Sequence, residues 1–387
     1  MSDAVAAQPT RNAVSIQAVL VAIPLVAALL GILIRYLGFI TVSDDDSVGR
    51  FLVGMCRWDC EWYVRLAEGG YDPFPTPKML NAGNWAFFPL YPMMVAGLRA
   101  ITGLQTIVAA TGLSIVLSIA AARVAWPLLG KDLRAYTLFS VFLLAGPFSI
   151  YFTTFFTEVL FLFLTVCVFA ALRQRQFLLA GILAGLLSAT RIVGVFIVFA
   201  ILWEMWRAHR EAGGTWRNFI PAIFLKPDWL LTFAVAPLGL FAYMFYLHMI
   251  IGDALAFSHV QRAWGRPMGN PVVFVWNALT SMPKDSWIPT PSQQLAVATL
   301  VGYGLIVALV IRKRFDMAIY AVIALTLPLF AGMASMLRFV AGLAPMPLIL
   351  SELLAKNRWV FAVSLLVFLA AGYGITVAWM KWVITLV

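Results

Sequence analysis

The chain is short of charge. Of its 387 residues only 11% are Asp, Glu, Lys or Arg, where a soluble domain carries about 25%. Acids are the scarcer sign, 17 against 27 basic residues. Three cysteines supply no disulfide framework. His209, His248 and His259 lie too far apart to suggest a zinc site. There is no P-loop, no G-x-G-x-x-G and no HExxH. The "GLS" triplet at 112–114 is not a serine-hydrolase elbow, and no His–Asp pair accompanies it. Heptads, low-complexity segments and internal repeats are also missing. The last absence leaves the inverted halves common in transporters without support.

What is present is hydrocarbon. The chain is 63% hydrophobic, with a mean hydropathy of +0.92, against about 45–50% apolar in a soluble domain. Runs of roughly 17–25 apolar residues can cross a bilayer core as helices, and open sheets cannot. The pattern predicts one all-α polytopic membrane domain over 1–387. Eleven spans can be drawn, at about 17–40, 104–128, 134–150, 154–172, 177–191, 193–209, 229–251, 294–311, 316–334, 338–355 and 359–383. The first is too long for a secretory h-region of about 7–15 residues, and reads as a retained helix. Residues 1–15, small and polar, read as a disordered cytoplasmic tail. Gly181 and Gly185 form a small-xxx-small pair suited to close helix packing.

The net charge of +10 suits membrane topology and anionic headgroups better than nucleic acid, because the basic residues are scattered between apolar runs. They cluster at Lys131 and Arg134, Arg173 and Arg175, Arg207 to Lys226, Arg312 to Arg314, and Lys356 and Arg358. The positive-inside rule puts these clusters in the cytoplasm. That assignment holds only if Trp85–Leu104, interrupted by Pro89, Pro92 and Arg99, does not cross. Residues 41–103 then form a long first external loop with a half-buried helix, and 252–293 a second. Seven acids lie in the first loop: Asp44, Asp45, Asp46, Asp59, Glu61, Glu68 and Asp72.

Within that loop "CRWDCEWYVRLAEGGY" (56–71) sets Asp59 among Trp58, Trp62 and Tyr63, with Arg57 and Arg65 able to hold it ionised. An ionised carboxylate there can take a proton from an acceptor hydroxyl; the plainer role is a loop salt bridge. Glu61 is either an i,i+4 partner of Arg65 or a substrate contact. Cys56 and Cys60 flank the acid. On a regular helix that spacing strains a disulfide, and oxidation needs an oxidising compartment. Asp44 to Asp46 form a solvated run or, less simply, a Mg²⁺ or Ca²⁺ site. Glu158 and Arg191 stand inside apolar runs, where charge is expensive and marks function by default; a structural pair is the alternative. A guanidinium at that depth suits a phosphate, and Arg338 reads the same way. Gln261, Arg262, Trp264 and Arg266 suit a sugar, or an ordinary interfacial belt. His259 reads as a loop residue and Cys167 as core.

Taken in order, "RWDCEWYVRLAEGGY", "FFPLYP", "TEVLF", "ATRIVG", "FSHVQRAWGR" and "SMLRF" resemble the family of GPI mannosyltransferase II (PIG-V) and its bacterial homologues, class C (GT-C) glycosyltransferases, over about 50–350. Where eukaryotic members have "YTES" this chain has "FTEV". The resemblance implies transfer of a sugar, mannose or another hexose, from a polyprenyl-phosphate donor to a lipid or glycan acceptor, with inversion. It places the reaction on the external face of a bacterial plasma membrane. Asp59 becomes the catalytic base. Arg191 and Arg338 hold the donor phosphate. Arg57, Trp58, Glu61, Glu158, Gln261, Trp264 and Arg266 contact substrate. Asp59 and Arg191 are expected to open into one cavity. No metal is required, since two arginines can meet a monophosphate; Mg²⁺ or Mn²⁺ is the alternative. A transporter or flippase of an amphiphile, and a non-catalytic assembly subunit, are the rival classes.

Overall fold

A computed structural model describes residues 11–75, 82–266, 268–281 and 290–383; most of the 1–15 tail lies outside them. The described chain is helical, without a strand among the described residues. α1 (Arg11–Ile40) is followed in the first loop by α2 (Val48–Met55), α3 (Asp59–Gly69) and α4 (Leu90–Thr102). Next come α5 (Thr106–Ala125), α6 (Leu133–Leu144), α7 (Ser149–Thr153), α8 (Glu158–Arg173) and α9 (Phe177–Ser188). Then follow α10 (Val198–Glu211), α11 (Trp216–Leu225), α12 (Pro227–Val235) and α13 (Leu238–Ile251). The second loop carries α14 (Ala256–His259) and α15 (Pro271–Thr280). α16 (Pro291–Ile311), α17 (Phe315–Leu329), α18 (Met336–Gly342), α19 (Pro345–Ala355) and α20 (Arg358–Met380) complete the chain.

Among the described residues six helical stretches, α1, α5, 192–211, 227–251, α16 and α20, are long and apolar enough to cross a bilayer, and the α18–α19 pair, bent by 70°, makes a seventh if counted as one broken span. The count of eleven does not follow from length. α6 and α9, 12 residues each, reach only about 18 Å at 1.5 Å per residue, short of a core of about 30 Å. Their predicted spans end early for local reasons. α6 stops before Gly146 and Pro147, and α9 stops at Ala189, after which Arg191 is extended (φ −160°, ψ 147°).

α8 lies at the centre of the bundle, apolar and buried nearly all round, packed between α5 and α9. α9 packs on α12 through the predicted small residues. A Cβ on Gly181 would stand 2.8 Å from the Thr232 Cα, and one on Gly185 2.7 Å from the Val235 carbonyl oxygen. The outer helices expose their apolar faces, as in Leu366 and Val367 of α20, where lipid is the solvent. One buried cation escaped the sequence reading. Arg35 of α1 donates to the Leu144 carbonyl (2.9 Å) and to Ser149 Oγ (3.1 Å), which caps the C-terminus of α6.

α4, 13 residues long, is short for a span and packs on α3 and α5. Its prolines act differently from expectation: Pro89 is the N-cap and Pro92 lies in the first turn, where backbone N–H groups are unpaired in any case. They start this helix instead of breaking it.

At the far end of α8, charged side chains join neighbouring helix ends. Arg173 pairs with Asp316 (3.1 Å), Arg175 with Glu204 and Glu211, and Arg314 with Glu352 (2.6 Å). Glu158 and Arg173 are the two ends of α8, roughly 22 Å apart along the axis. The basic network and the Glu158 site therefore occupy opposite ends of the bundle.

Candidate active site

The chain between α2 and α3 is not helical. Cys56 caps α2 in an extended conformation, and Trp58 has φ 53° and ψ −118°, outside the small left-handed region open to L-residues. Cys56 and Cys60 are joined by a disulfide, with Cα atoms 5.2 Å apart. The expectation of strain rested on a continuous helix, and the break at Arg57–Trp58 removes it. Asp59 follows as the first residue of α3, and Glu158 is likewise the first residue of α8. Both carboxylates thus sit at helix N-termini, where the peptide dipoles favour negative charge.

These acids meet two arginines. Arg338 donates from Nη1 to Asp59 Oδ2 at 2.5 Å. Its Nε lies 3.1 Å from Glu158 Oε1 without hydrogen-bond alignment. Arg191 donates to the same Oε1 at 2.8 Å. Asp59 and Arg191 are thereby linked through Arg338 and Glu158, which fill the space between them. Neither Asp59 nor Arg191 lines either of the two cavities described below, so the expected shared hexose-sized cavity is not among them. Glu158 is 1% exposed and Arg338 5%, whereas Asp59 is 26% exposed. Glu158 Oε2 is buried with no hydrogen-bond partner among the described residues.

The second loop supplies the next contact. After a 3-10 turn, Val260–Trp264, Arg266 reaches Gln261 Oε1 and Ser335 Oγ, both at 3.4 Å. Ser335 is buried, adopts a left-handed conformation (φ 66°), and also accepts from Arg338 at 3.4 Å. Burial first, and then the adjacent Arg338, push the Arg266 guanidinium below its ordinary pKa; Asp59 pulls it back. Beside Arg266 and Trp264 lies a cavity of about 400 Å³, bounded also by Asn277, Ser281 and Ser292. A larger cavity of about 770 Å³ lies on the other side of the same 3-10 turn, with Phe74, Trp85, Asp253, His259 and Arg262 on its walls. There His259 Nδ1 is 2.8 Å from Asp253 Oδ2, an exposed loop pair.

Tyr63 of α3 ties the first loop to the Glu158 turn through Thr157 Oγ1, at 3.0 Å. Burial, with the Glu158 charge adding, raises its phenol well above its ordinary pKa, so it stays a neutral hydroxyl. The Trp62 ring stacks on Phe87 and meets Trp264 edge-on at 5.8 Å.

Several expected roles change. Arg57 does not hold Asp59; it donates to the Gly54 carbonyl, and its guanidinium lies 4.1 Å over Trp382. Arg65 pairs with Asp72 at 3.4 Å; six residues along α3 put it on a different face from Asp59. Trp58 packs on Trp379 and Trp382, so it buttresses the loop against α20. Glu61 is exposed, and its charge acts on Arg57. Gln261 contacts Arg266. Asp45 pairs with Arg50 and accepts from the Ser47 N–H. Among the described residues no group of three or more His, Cys, Asp or Glu side chains is arranged to hold a metal ion. In the sequence Tyr63 stood out only as an aromatic beside Asp59, and Ser335 and Thr157 only as members of the motifs; none was given a polar role. Their types are common, and only the left-handed turn and the cross-loop contact give them significance.

No family model matches the chain. Among curated proteins it is similar to GPI alpha-1,6-mannosyltransferase 2 of Cricetulus griseus, at 28% identity over 198 residues, 48% of this chain and 37% of that protein. The Mus musculus protein of the same name is 27% identical over 224 residues, 53% of this chain and 43% of its own. The matched segment is thus less than half of each relative's length, and shorter than the stretch of about 50–350 that the motifs cover. Among solved structures, the apo oligosaccharyltransferase of Archaeoglobus fulgidus superposes on 94% of this chain and 56% of its own, with a TM-score of 0.52 and 16% identity. That likeness is one of fold. The all-helical membrane fold expected from the sequence is shared with that oligosaccharyltransferase, and the curated relatives are named as mannosyltransferases.

Proposed function

We propose that the chain is a membrane-embedded glycosyltransferase that moves a hexose, mannose in the simplest case, from a polyprenyl-phosphate carrier to a lipid or glycan hydroxyl. The observation that carries this reading is the run Asp59–Arg338–Glu158–Arg191, two acids and two arginines brought together at one end of the bundle from four separate segments. Asp59 spends one oxygen on Arg338, and its other oxygen accepts no hydrogen bond among the described residues. An acceptor hydroxyl hydrogen-bonded there loses its proton to the carboxylate as its oxygen attacks C1. The C1–O bond to phosphate breaks on the opposite face, and the phosphate oxygen keeps the electron pair. Guanidiniums fixed before the reaction meet the charge that develops, without reorganising. Guanidinium charge at the site, that of Arg338 first, meets the phosphate, so no metal is invoked.

The Cys56–Cys60 disulfide supports placing this end in an oxidising compartment, outside the plasma membrane in a bacterium. A transporter has less support, because the acids of the first loop and the site they build lie at one end of the bundle.

The test is purified protein in lipid nanodiscs, given labelled polyprenyl-phosphate mannose and a total lipid extract. Label is expected in a new glycolipid, with polyprenyl phosphate released. Labelled donor that stays chemically unchanged in the nanodiscs, and is moved across the membrane when the protein is placed in sealed vesicles, would refute the reading.

A further inference from the structure

Three guanidiniums converge on this site, from Arg191, Arg266 and Arg338, against two carboxylates, Asp59 and Glu158. Arg191 is held by Glu158, and Arg338 by both acids. Arg266 is half-buried and has no carboxylate partner among the described residues; its contacts are a Gln261 amide oxygen and a Ser335 hydroxyl. It also lines the cavity of about 400 Å³ that Trp264, Asn277 and Ser281 share. A part-desolvated cation beside open space, next to two others, calls for an anion.

We propose that Arg266, and not Arg191, is the arginine that binds the donor's phosphate, in the cavity under Trp264, while Arg191 serves to hold Glu158 against Arg338. This rests on the polyprenyl-phosphate reading above.

Charge counting supports the assignment at both ends of the reaction. The donor is a phosphodiester with one negative charge, which matches the single excess positive charge of three arginines and two carboxylates. Transfer moves the acceptor proton to Asp59 and leaves polyprenyl phosphate with a second negative charge. Protonated Asp59 no longer neutralises Arg338, so that guanidinium becomes available as the leaving phosphate needs it. Ser335, hydrogen-bonded to both Arg266 and Arg338, holds the two guanidiniums within reach of one phosphate. A charged hydrogen bond in such a setting is the stronger kind.

The experiment measures binding of undecaprenyl monophosphate and of undecaprenol to the full chain in nanodiscs, by tryptophan fluorescence. Wild-type protein is expected to prefer the phosphate. Arg266→Gln should lose roughly tenfold to a hundredfold of that preference while keeping its affinity for the alcohol, which also reports that the variant is folded. Arg266→Lys should recover part of it, and Arg191→Gln should keep most of it. The assignment is overturned if Arg191→Gln abolishes the preference and Arg266→Gln does not, or if Arg266→Gln weakens both lipids equally. A wild-type protein that does not distinguish the two lipids would overturn the donor class itself, a different failure from a misassigned arginine.

Discussion

Arg338 is the residue on which the site turns. It is buried and it touches both acids, one from the first loop and one from α8. Removing one member of a buried ion pair strands the rest, at a cost of about 3–5 kcal/mol. Arg338→Met should therefore lower stability by about that much, read from denaturant unfolding of the detergent-solubilised protein; a change below about 1 kcal/mol would contradict the buried network. The sequence made Asp59, Glu158, Arg191 and Arg338 visible because each is a charge where charge is expensive. It did not reveal who pairs with whom. Arg57 and Arg65, nearest to Asp59 along the chain, hold other partners, and the guanidinium that does hold it lies 279 residues away. Nothing local encodes such a contact.

Among the elements, the break between α2 and α3 matters most. It sets Trp58 at a positive φ, wedges its ring against α20 and aims Asp59 at Arg338, with the Cys56–Cys60 bridge closing the turn. If the bridge holds that aim, Cys56→Ser with Cys60→Ser should lower kcat by about 10–100-fold, the cost of a slightly misplaced reacting group, with KM little changed. Reduction of the wild-type protein should do the same, and reoxidation should restore it. Equal loss in kcat and in folded yield would assign the bridge to stability alone. α9 gives a simpler case. Gly185→Leu would press on the Val235 carbonyl and should lower the melting temperature, whereas Gly374→Leu, where a Cβ has open space, should not. The small-xxx-small pair was legible in the sequence because packing chemistry is local there. The α2–α3 break was not, because a tryptophan at positive φ is a conformation the tertiary contacts impose.

At the scale of the whole molecule, composition alone gave an all-helical membrane protein, and the ordered motifs gave the architecture. The number of spans was less legible. Hydropathy windows cannot see that Gly146, Pro147 and Arg191 cut apolar runs into helices too short to cross. Paired charges gather at both ends of α8, the Arg173–Asp316 network at one and the Asp59 cluster at the other. A cysteine placed at the exposed Met268 should accordingly react with a membrane-impermeant maleimide in intact cells, and one at the exposed Trp216 only after permeabilisation; the reverse pattern would invert the proposed orientation. The account depends most on the carboxylate at position 59 removing a proton. Asp59→Asn keeps the shape of the side chain and loses the base. Assayed in nanodiscs with labelled polyprenyl-phosphate mannose, the folded variant is expected to bind donor and turn over about 10²–10⁴-fold more slowly. Turnover within a few-fold of wild type would contradict the mechanism.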